Sequence, residues 1–460
     1  MPDTIIQIIY FIGVLLLILG LKKMSSTSTA KQGLKWAGLG MLIAILVSYF
    51  HKDIQNHYLL ITVAILVGGG IALLFTTKAS LTDMPRITSL LSGMGAGAAA
   101  AIAAAELIRL EPIHDIARSL AVIGALLGAI SFSGSLIAYL KQKGLIKNVI
   151  RFPMQQWLNA LIFVVTITFG LAIVLNGTQF EISSLMLFFI LALALGVLMT
   201  IPVSTADTPV VTSLFNAFTG LSVGFVGYVL SNPAMMVAGV LVGAAAVMLT
   251  RLMTKAMNRP VSNVLFGQEN VSKHSIENTR IHDDSVKVLN ASDAATMMAF
   301  ARNVIVIPGY GMAVSQAQHQ LGEIGKLLTE KNVNVKFAIH PAAGRMPGHM
   351  SALLAESGVP YDLVFGLDEV NDEFSKTDVV LIVGANDTTN PSARSDNDSP
   401  VFGMPILNAD KAKNIIVIKR GKGTGYSGVD NSLFYKNNTS MMYGDAQSVL
   451  DKVISNLKAI

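Results

Sequence analysis

The 460-residue chain is 52% hydrophobic, only 14% charged, and carries a net charge of +5. Soluble proteins average about 25% charged residues, and the Lys and Arg here sit mostly in short loops, without the aromatic-interleaved basic patch of a nucleic-acid binder. Cysteine is absent, which excludes disulfides, thiol nucleophiles and cysteine-ligated metals together.

Nine apolar stretches come first, near 4–21, 34–50, 58–75, 87–108, 119–140, 157–175, 183–201, 210–230 and 234–253. Each is long enough to cross a ~30 Å hydrocarbon layer at ~1.5 Å per helical residue. The first has no basic flank before it and no small-residue cleavage site close behind it, and reads as a retained span rather than a signal peptide. The fourth, GMGAGAAAAIAAA, is weakly hydrophobic but suited to close helix contact. Alternate loops and the C-terminal flank carry Lys22, Lys23, Lys31, Lys35, Lys78, Arg86, Lys141, Lys143, Lys147, Arg151, Arg251, Lys255 and Arg259. The opposite loops carry Lys52, Arg109 and Arg118, with Glu111 and Asp115 nearby. The positive-inside rule then puts everything after residue 260 in the cytoplasm.

A repeat lies inside this part. Residues 82–94 read TDMPRITSLLSGM and residues 206–218 read ADTPVVTSLFNAF, each opening an even-numbered span. Asp followed by x-Pro suits a helix start, where a carboxylate caps free N–H groups and Pro loses no hydrogen bond. Nine residues beyond Asp83 and Asp207 stand Ser92 and Asn216. At 1.5 Å per residue these lie ~13 Å deep, near mid-membrane. A Ser there commonly bonds back to its own helix, but an Asn amide is costly in hydrocarbon. Asn216 is therefore a candidate for a polar path, and the repeated Asp83 and Asp207 are caps or a gate at its mouth.

After residue 259 the texture changes. Residues 260–290 read as a linker. Short β-branched runs follow at 303–308, 334–341, 362–367, 378–386 and 415–420, separated by helical patterns such as AVSQAQHQLGEIGKLLTEK and HMSALLAESG. Runs that do not alternate suit parallel strands buried on both faces. The expected architecture is a polytopic all-α membrane domain (1–259), the linker, and an α/β doubly wound, Rossmann-like nucleotide-binding domain (291–460).

The first strand ends in Gly309-Tyr310-Gly311-Met312-Ala313-Val314. Gly309 and Gly311 match a dinucleotide turn, but Val314 stands where Gly or Ala is usual. A tight turn with no ligand is the alternative. The second strand ends in His340, without the acid that holds the ribose of NAD. Residues 419–428, KRGKGTGYSG, bring Lys419, Arg420 and Lys422 to a Gly-rich loop around Tyr426, suited to a 2′-phosphate. The choice tilts to NADP, lying the other way round.

The stretches GYGMAV, FAIHPAAGRMPGHM, GANDTTNP and KRGKGTGYSGVDNSLF, in this order behind nine spans, resemble the β subunit of proton-translocating NAD(P) transhydrogenase. The resemblance covers essentially the whole chain. It implies NADP(H) in the C-terminal domain, NAD(H) on a partner α subunit, and direct hydride transfer from NADH to NADP⁺ coupled to proton translocation. It also implies a multi-pass protein of the bacterial inner membrane, with αβ units pairing as a dimer. Carried over, Gly309 to Val314 line the pyrophosphate turn, and His340, Gly344 and Arg345 lie beside the nucleotide. Asn386 and Asp387 sit near the nicotinamide, with Asp387 sensing its redox state. Lys419 and Arg420 bind the 2′-phosphate, and Gly425, Tyr426, Ser427 and Gly428 belong to a lid. Asp207 and Asn216 match the gate Asp and channel Asn, and Asp83 an acidic position. Many relatives have a His where Ser92 stands, so the membrane proton carrier is expected on the partner's helices. No metal is expected, since hydride exchange needs none. The alternative is a channel or transporter with a cytoplasmic nucleotide-sensing domain.

Overall fold

The computed structural model describes residues 3–460 apart from 25–26, 51–53, 55–56, 80–82, 110–113, 147–148, 178–180, 205–206, 259, 267–285, 347, 422 and 426. Lys52, Glu111, Lys147, Arg259, Lys422 and Tyr426, and most of the expected linker, lie outside the described residues. The chain divides into two compact units, Met1–Thr250 with Val264–Phe266, and Arg251–Asn263 with Gly267–Ile460.

Among the described residues, nine helices are long and apolar enough to span a membrane. They are α1 (Asp3–Met24), α2 (Thr27–Ser48), α3 (Tyr58–Thr77), α4 (Met84–Ile108), α5 (Asp115–Gln142), α6 (Gln155–Leu175), α7 (Ile182–Thr200), α8 (Thr208–Val229) and α9 (Pro233–Ala256). All nine expected stretches fall on helices, with ends moved by up to seven residues, most at the start of α2. Their burial is uneven: 61% of the apolar window of α5 and of α8 is covered by protein, and none of α3. Small residues let the central helices approach. A Cβ on Gly128 of α5 would stand 2.8 Å from the Ala96 carbonyl oxygen of α4, the close contact that a Gly/Ala-rich helix permits.

After a short helix α10 (Val261–Phe266), the second unit alternates strands and helices. These are β1 (Lys287–Val288), α11 (Ala291–Ala299), β2 (Asn303–Pro308), α12 (Tyr310–Val314), α13 (Gln318–Glu330), β3 (Asn334–Ile339) and α14 (His349–Glu356). There follow β4 (Val364–Gly366), α15 (Leu367–Val370), β5 (Val379–Val383), α16 (Ser392–Ser395), β6 (Asn414–Lys419), β7 (Thr439–Tyr443) and α17 (Ala446–Ala459). The seven strands form one sheet in the order β1-β7-β6-β5-β2-β3-β4, and every neighbouring pair is parallel. All five residues of β5 are buried, as expected of a strand covered on both faces. Chain progress reverses between the adjacent strands β2 and β5, the switch point where doubly wound sheets leave a crevice.

Two features depart from the sequence pattern. β1 falls within the stretch read as linker, and pairs with the equally unforeseen β7. The single helix expected after the glycine turn is broken: α12 ends at Val314, Gln316 takes φ 53°, and α13 begins at Gln318.

Candidate functional site

The switch point is built from backbone. At the ends of β2 and β5 two turns meet so closely that side chains are excluded. The Gly309 N–H donates to the Val383 carbonyl at 2.8 Å and the Gly311 N–H to the Gly384 carbonyl at 2.9 Å. A Cβ on Gly309 would lie 2.3 Å from the Gly384 oxygen, and one on Gly384, at φ +66°, would lie 2.4 Å from Gly311 Cα. Both fingerprint glycines are thus required by turn-to-turn packing. Their partner Gly384 was quoted in the sequence but not counted as a site residue.

The broken helix accounts for Val314. In the usual fingerprint the third small residue lets a long helix pack against the first strand. Here the first helix stops at that residue, and Val314 is 49% exposed and lines a cleft. That cleft has a volume of about 280 Å³. Its walls are Gly311, Val314 and Ser315 on one side, Gly384 at the floor, and Lys419, Arg420 and the following Gly-rich loop on the other. Gly444 and Ala446, flanking the start of α17, close the edge.

Lys419 and Arg420 both line this cleft but have different partners. Arg420 pairs with Asp445 at 3.3 Å, both side chains being well exposed, so the pair is readily exchanged for another anion. The Lys419 ammonium lies 4.6 Å above the Phe434 ring. Burial lowers its pKa, against the opposing pull of Asp430 and Asp387.

Asn386 and Asp387 follow β5. Asp387 is 1% exposed and accepts two hydrogen bonds from one residue of the Gly-rich loop after β6, Ser427: from its N–H at 3.1 Å and its hydroxyl at 2.7 Å. A Cβ on Gly425 would lie 2.4 Å from the same carboxylate. This loop is therefore tied to the end of β5. Neither side-chain atom of Asn386, oxygen or nitrogen, has a partner among the described residues, although both are buried. An amide buried without partners is costly. Gly428, at φ +73°, turns the same loop onward, and Tyr426 lies outside the described residues.

The loop after β3 reaches the same turn. The Arg345 guanidinium lies 4.7 Å over the Tyr310 ring, joining it to the turn that contains Met312 and Ala313, both buried. His340 is 1% exposed. Its Nε2–H donates to the Pro405 carbonyl at 2.7 Å and its Nδ1 accepts the Ala342 N–H at 3.0 Å. Burial pushes its pKa down to about 4, so the ring is neutral near pH 7 and both nitrogens are engaged. His349, not singled out from the sequence, accepts the Arg345 N–H on Nδ1 at 3.2 Å and packs against Gly344. Its buried Nε2 has no partner among the described residues. Burial, then the Arg345 charge, push it also to about 4.

In the membrane unit the repeated aspartates are not caps. Both have helical rather than extended backbone and make no side-chain hydrogen bond to the first turn, because a capping side chain needs extended backbone. Asp83 pairs with Arg86 at 2.9 Å. Asp207, 5% exposed, accepts from the Ser204 hydroxyl at 2.9 Å. Ser92 meets Thr219 at 3.4 Å, and Thr219 meets Ser131 at 2.8 Å. Ser89 and Thr212 form a second α4–α8 hydroxyl contact at 3.3 Å. Asn216 is half-buried with no hydrogen-bond partner among the described residues. Ser92 thus joins a hydroxyl group that the sequence did not reveal, in which Asn216 takes no part.

Nine apolar helices followed by a parallel sheet with a crevice at its switch point define a multi-pass membrane protein with a Rossmann-like domain. The model of the NAD(P) transhydrogenase beta subunit family matches residues 6–456. A curated relative, NAD(P) transhydrogenase subunit beta of Rhodospirillum rubrum, is 40% identical over 466 residues, covering 99% of both sequences. A second sequence, from a named strain of that organism, gives the same figures. The chain belongs to the NAD(P) transhydrogenase beta subunit family.

Proposed function

We propose that this chain is the NADP(H)-binding membrane subunit of a complex that exchanges hydride with NAD(H) on a partner α subunit, coupled to proton passage through the bundle. The observation that carries this reading is the cleft where a backbone-only glycine floor meets Lys419 and Arg420. The residues fit an anionic nucleotide: the floor leaves room for a pyrophosphate, Arg420 can exchange Asp445 for a 2′-phosphate, and the buried Asn386 amide gains partners. His340 stands after β3 with both nitrogens engaged, where an NAD site has a carboxylate.

Bound nucleotides supply the hydride chemistry; the chain supplies orientation and exclusion of water. Arg345 on Tyr310 and the neutral His340 hold the loop after β3 against the turn. Asp387 is the latch. As a carboxylate it accepts both Ser427 hydrogen bonds; protonation at Oδ1 or Oδ2 removes acceptor capacity and loosens the lid. A charge change near Asp387 therefore biases lid states, which is the differential interaction that coupling needs.

In the bundle, Asp207, Asn216, Ser92 and Asp83 form this chain's share of the proton route, extended by Thr219 and Ser131. Serine hydroxyls relay protons but do not hold them near neutral pH, so the carrier His belongs to the partner's membrane helices. The lysine-rich loops support a cytoplasmic C-terminal domain, in keeping with a proposed bacterial inner-membrane setting and a dimer of αβ units. The test is reconstitution with the α subunit in proteoliposomes. An imposed inward proton gradient should accelerate NADPH formation from NADH, and Asp387→Asn should abolish the acceleration. A channel with a sensor domain would bind nucleotide without exchanging hydride.

A further inference from the structure

A second cleft, of about 430 Å³, opens in the membrane unit where the end of α3, the start of α4 and the end of α5 share one face of the bundle. Its polar wall sets three cations, Lys78, Arg86 and Lys143, beside one carboxylate, Asp83. Arg86 and Asp83 pair at 2.9 Å, which leaves the two lysines in surplus. Neither ammonium has a hydrogen-bond or carboxylate partner among the described residues; Lys143 lies 5.8 Å over the Tyr139 ring.

The other wall is hydrocarbon. Leu74 and Phe75, in the last turns of α3, are 61% and 54% exposed and line the same cleft. α3 has no buried residue anywhere along its length, so no protein surface of this chain covers that wall. A ligand that satisfies both walls carries an anionic head and apolar tails. An apolar partner helix would bury two uncompensated ammonium groups, a heavy desolvation cost. A free phosphate would leave the apolar wall uncovered.

We propose that this cleft binds one anionic phospholipid, its phosphate between Lys78, Lys143 and Arg86 and its acyl chains along Leu74 and Phe75. The lipid then joins α3 to α4 and α5 where the protein itself provides little packing. Basic groups at a membrane end attract anionic headgroups in this way.

The test uses the full-length protein with its α subunit, purified in mild detergent and titrated with phosphatidylglycerol or phosphatidylcholine, counting retained lipids by native mass spectrometry. One phosphatidylglycerol per chain should be retained over phosphatidylcholine. Lys78→Gln with Lys143→Gln should weaken retention roughly thirtyfold. Lys31→Gln with Lys35→Gln, which removes equal charge outside the cleft, should leave it unchanged. Equal retention of both lipids, or equal loss in the control pair, would overturn the site. Inorganic phosphate competing at the lipid's own affinity would replace it with a simple anion site, and capture of an acidic helix of the partner at Lys78 with a protein contact.

Discussion

The cleft beside β6 and the cleft beside α3 both set surplus cations next to one exchangeable ion pair: Arg420–Asp445 at 3.3 Å in the first and Arg86–Asp83 at 2.9 Å in the second. Their opposite walls differ. One is glycine backbone packed so tightly that no side chain fits; the other is exposed Leu and Phe on a helix with nothing buried. Cations alone select only an anion. In the two proposals the facing wall selects its kind, a nucleotide's sugar–phosphate chain against backbone or a lipid's acyl chains against hydrocarbon.

The sharpest way to break the contrast is to fill the glycine floor. Gly384→Ala puts a methyl into Gly311 at positive φ, and should destabilise the C-terminal domain by about 3 kcal/mol or more and abolish NADPH binding. Denaturant titration followed by circular dichroism measures the first effect. The lysine substitutions in the membrane cleft should leave that transition unmoved.

Acidification distinguishes the two units next, because the C-terminal one holds the buried His340 and His349 and no histidine lines the membrane cleft among the described residues. His340 and His349 are held near pKa 4, below the ordinary 6.5. A depressed folded pKa means that the unfolded state takes up protons first. Their stabilisation is therefore complete above about pH 6.5 and is lost as pH falls toward 4. For His340 this is on the order of 3 kcal/mol. The difference in unfolding free energy between wild type and His340→Gln, measured from pH 7.5 to 4, should shrink across that window.

Smaller effects sharpen the electrostatics. Arg420→Gln should raise the Kd for NADPH about thirtyfold with little change for NADH, the size of a lost charge-assisted hydrogen bond. Asp445→Asn should tighten NADPH by only a few-fold, since an exposed ion pair competes weakly. Equilibrium fluorescence titration reads both.

Much of this was legible in the sequence because it rests on local pattern. Apolar length disclosed the nine spans, and β-branched runs disclosed β2 to β6. β7, TSMMY, lacks such a run, and β1 is two residues long, so β1 is a strand only through pairing with β7, and β7 only through its neighbours β1 and β6. The break at Gln316 had no Gly or Pro to announce it: a non-glycine residue there takes the left-handed backbone, φ 53°. The site divides in the same way. Glycines and cations were visible as motifs, whereas the Asp387–Ser427 tie and the Ser92–Thr219 contact join residues 40 and 127 positions apart. Of the two roles open to the aspartate repeat, caps or a gate, the capping role fails on backbone conformation, which composition does not reveal.

The central claim is that the β6 cleft selects the phosphorylated dinucleotide. Its most direct test is a parallel titration of the full-length protein with NADPH and NADH, repeated on a Lys419→Gln, Arg420→Gln double variant. The account predicts tight NADPH binding, far weaker NADH binding, and loss of the preference in the variant. Equal affinity for the two nucleotides in the wild-type protein would contradict it.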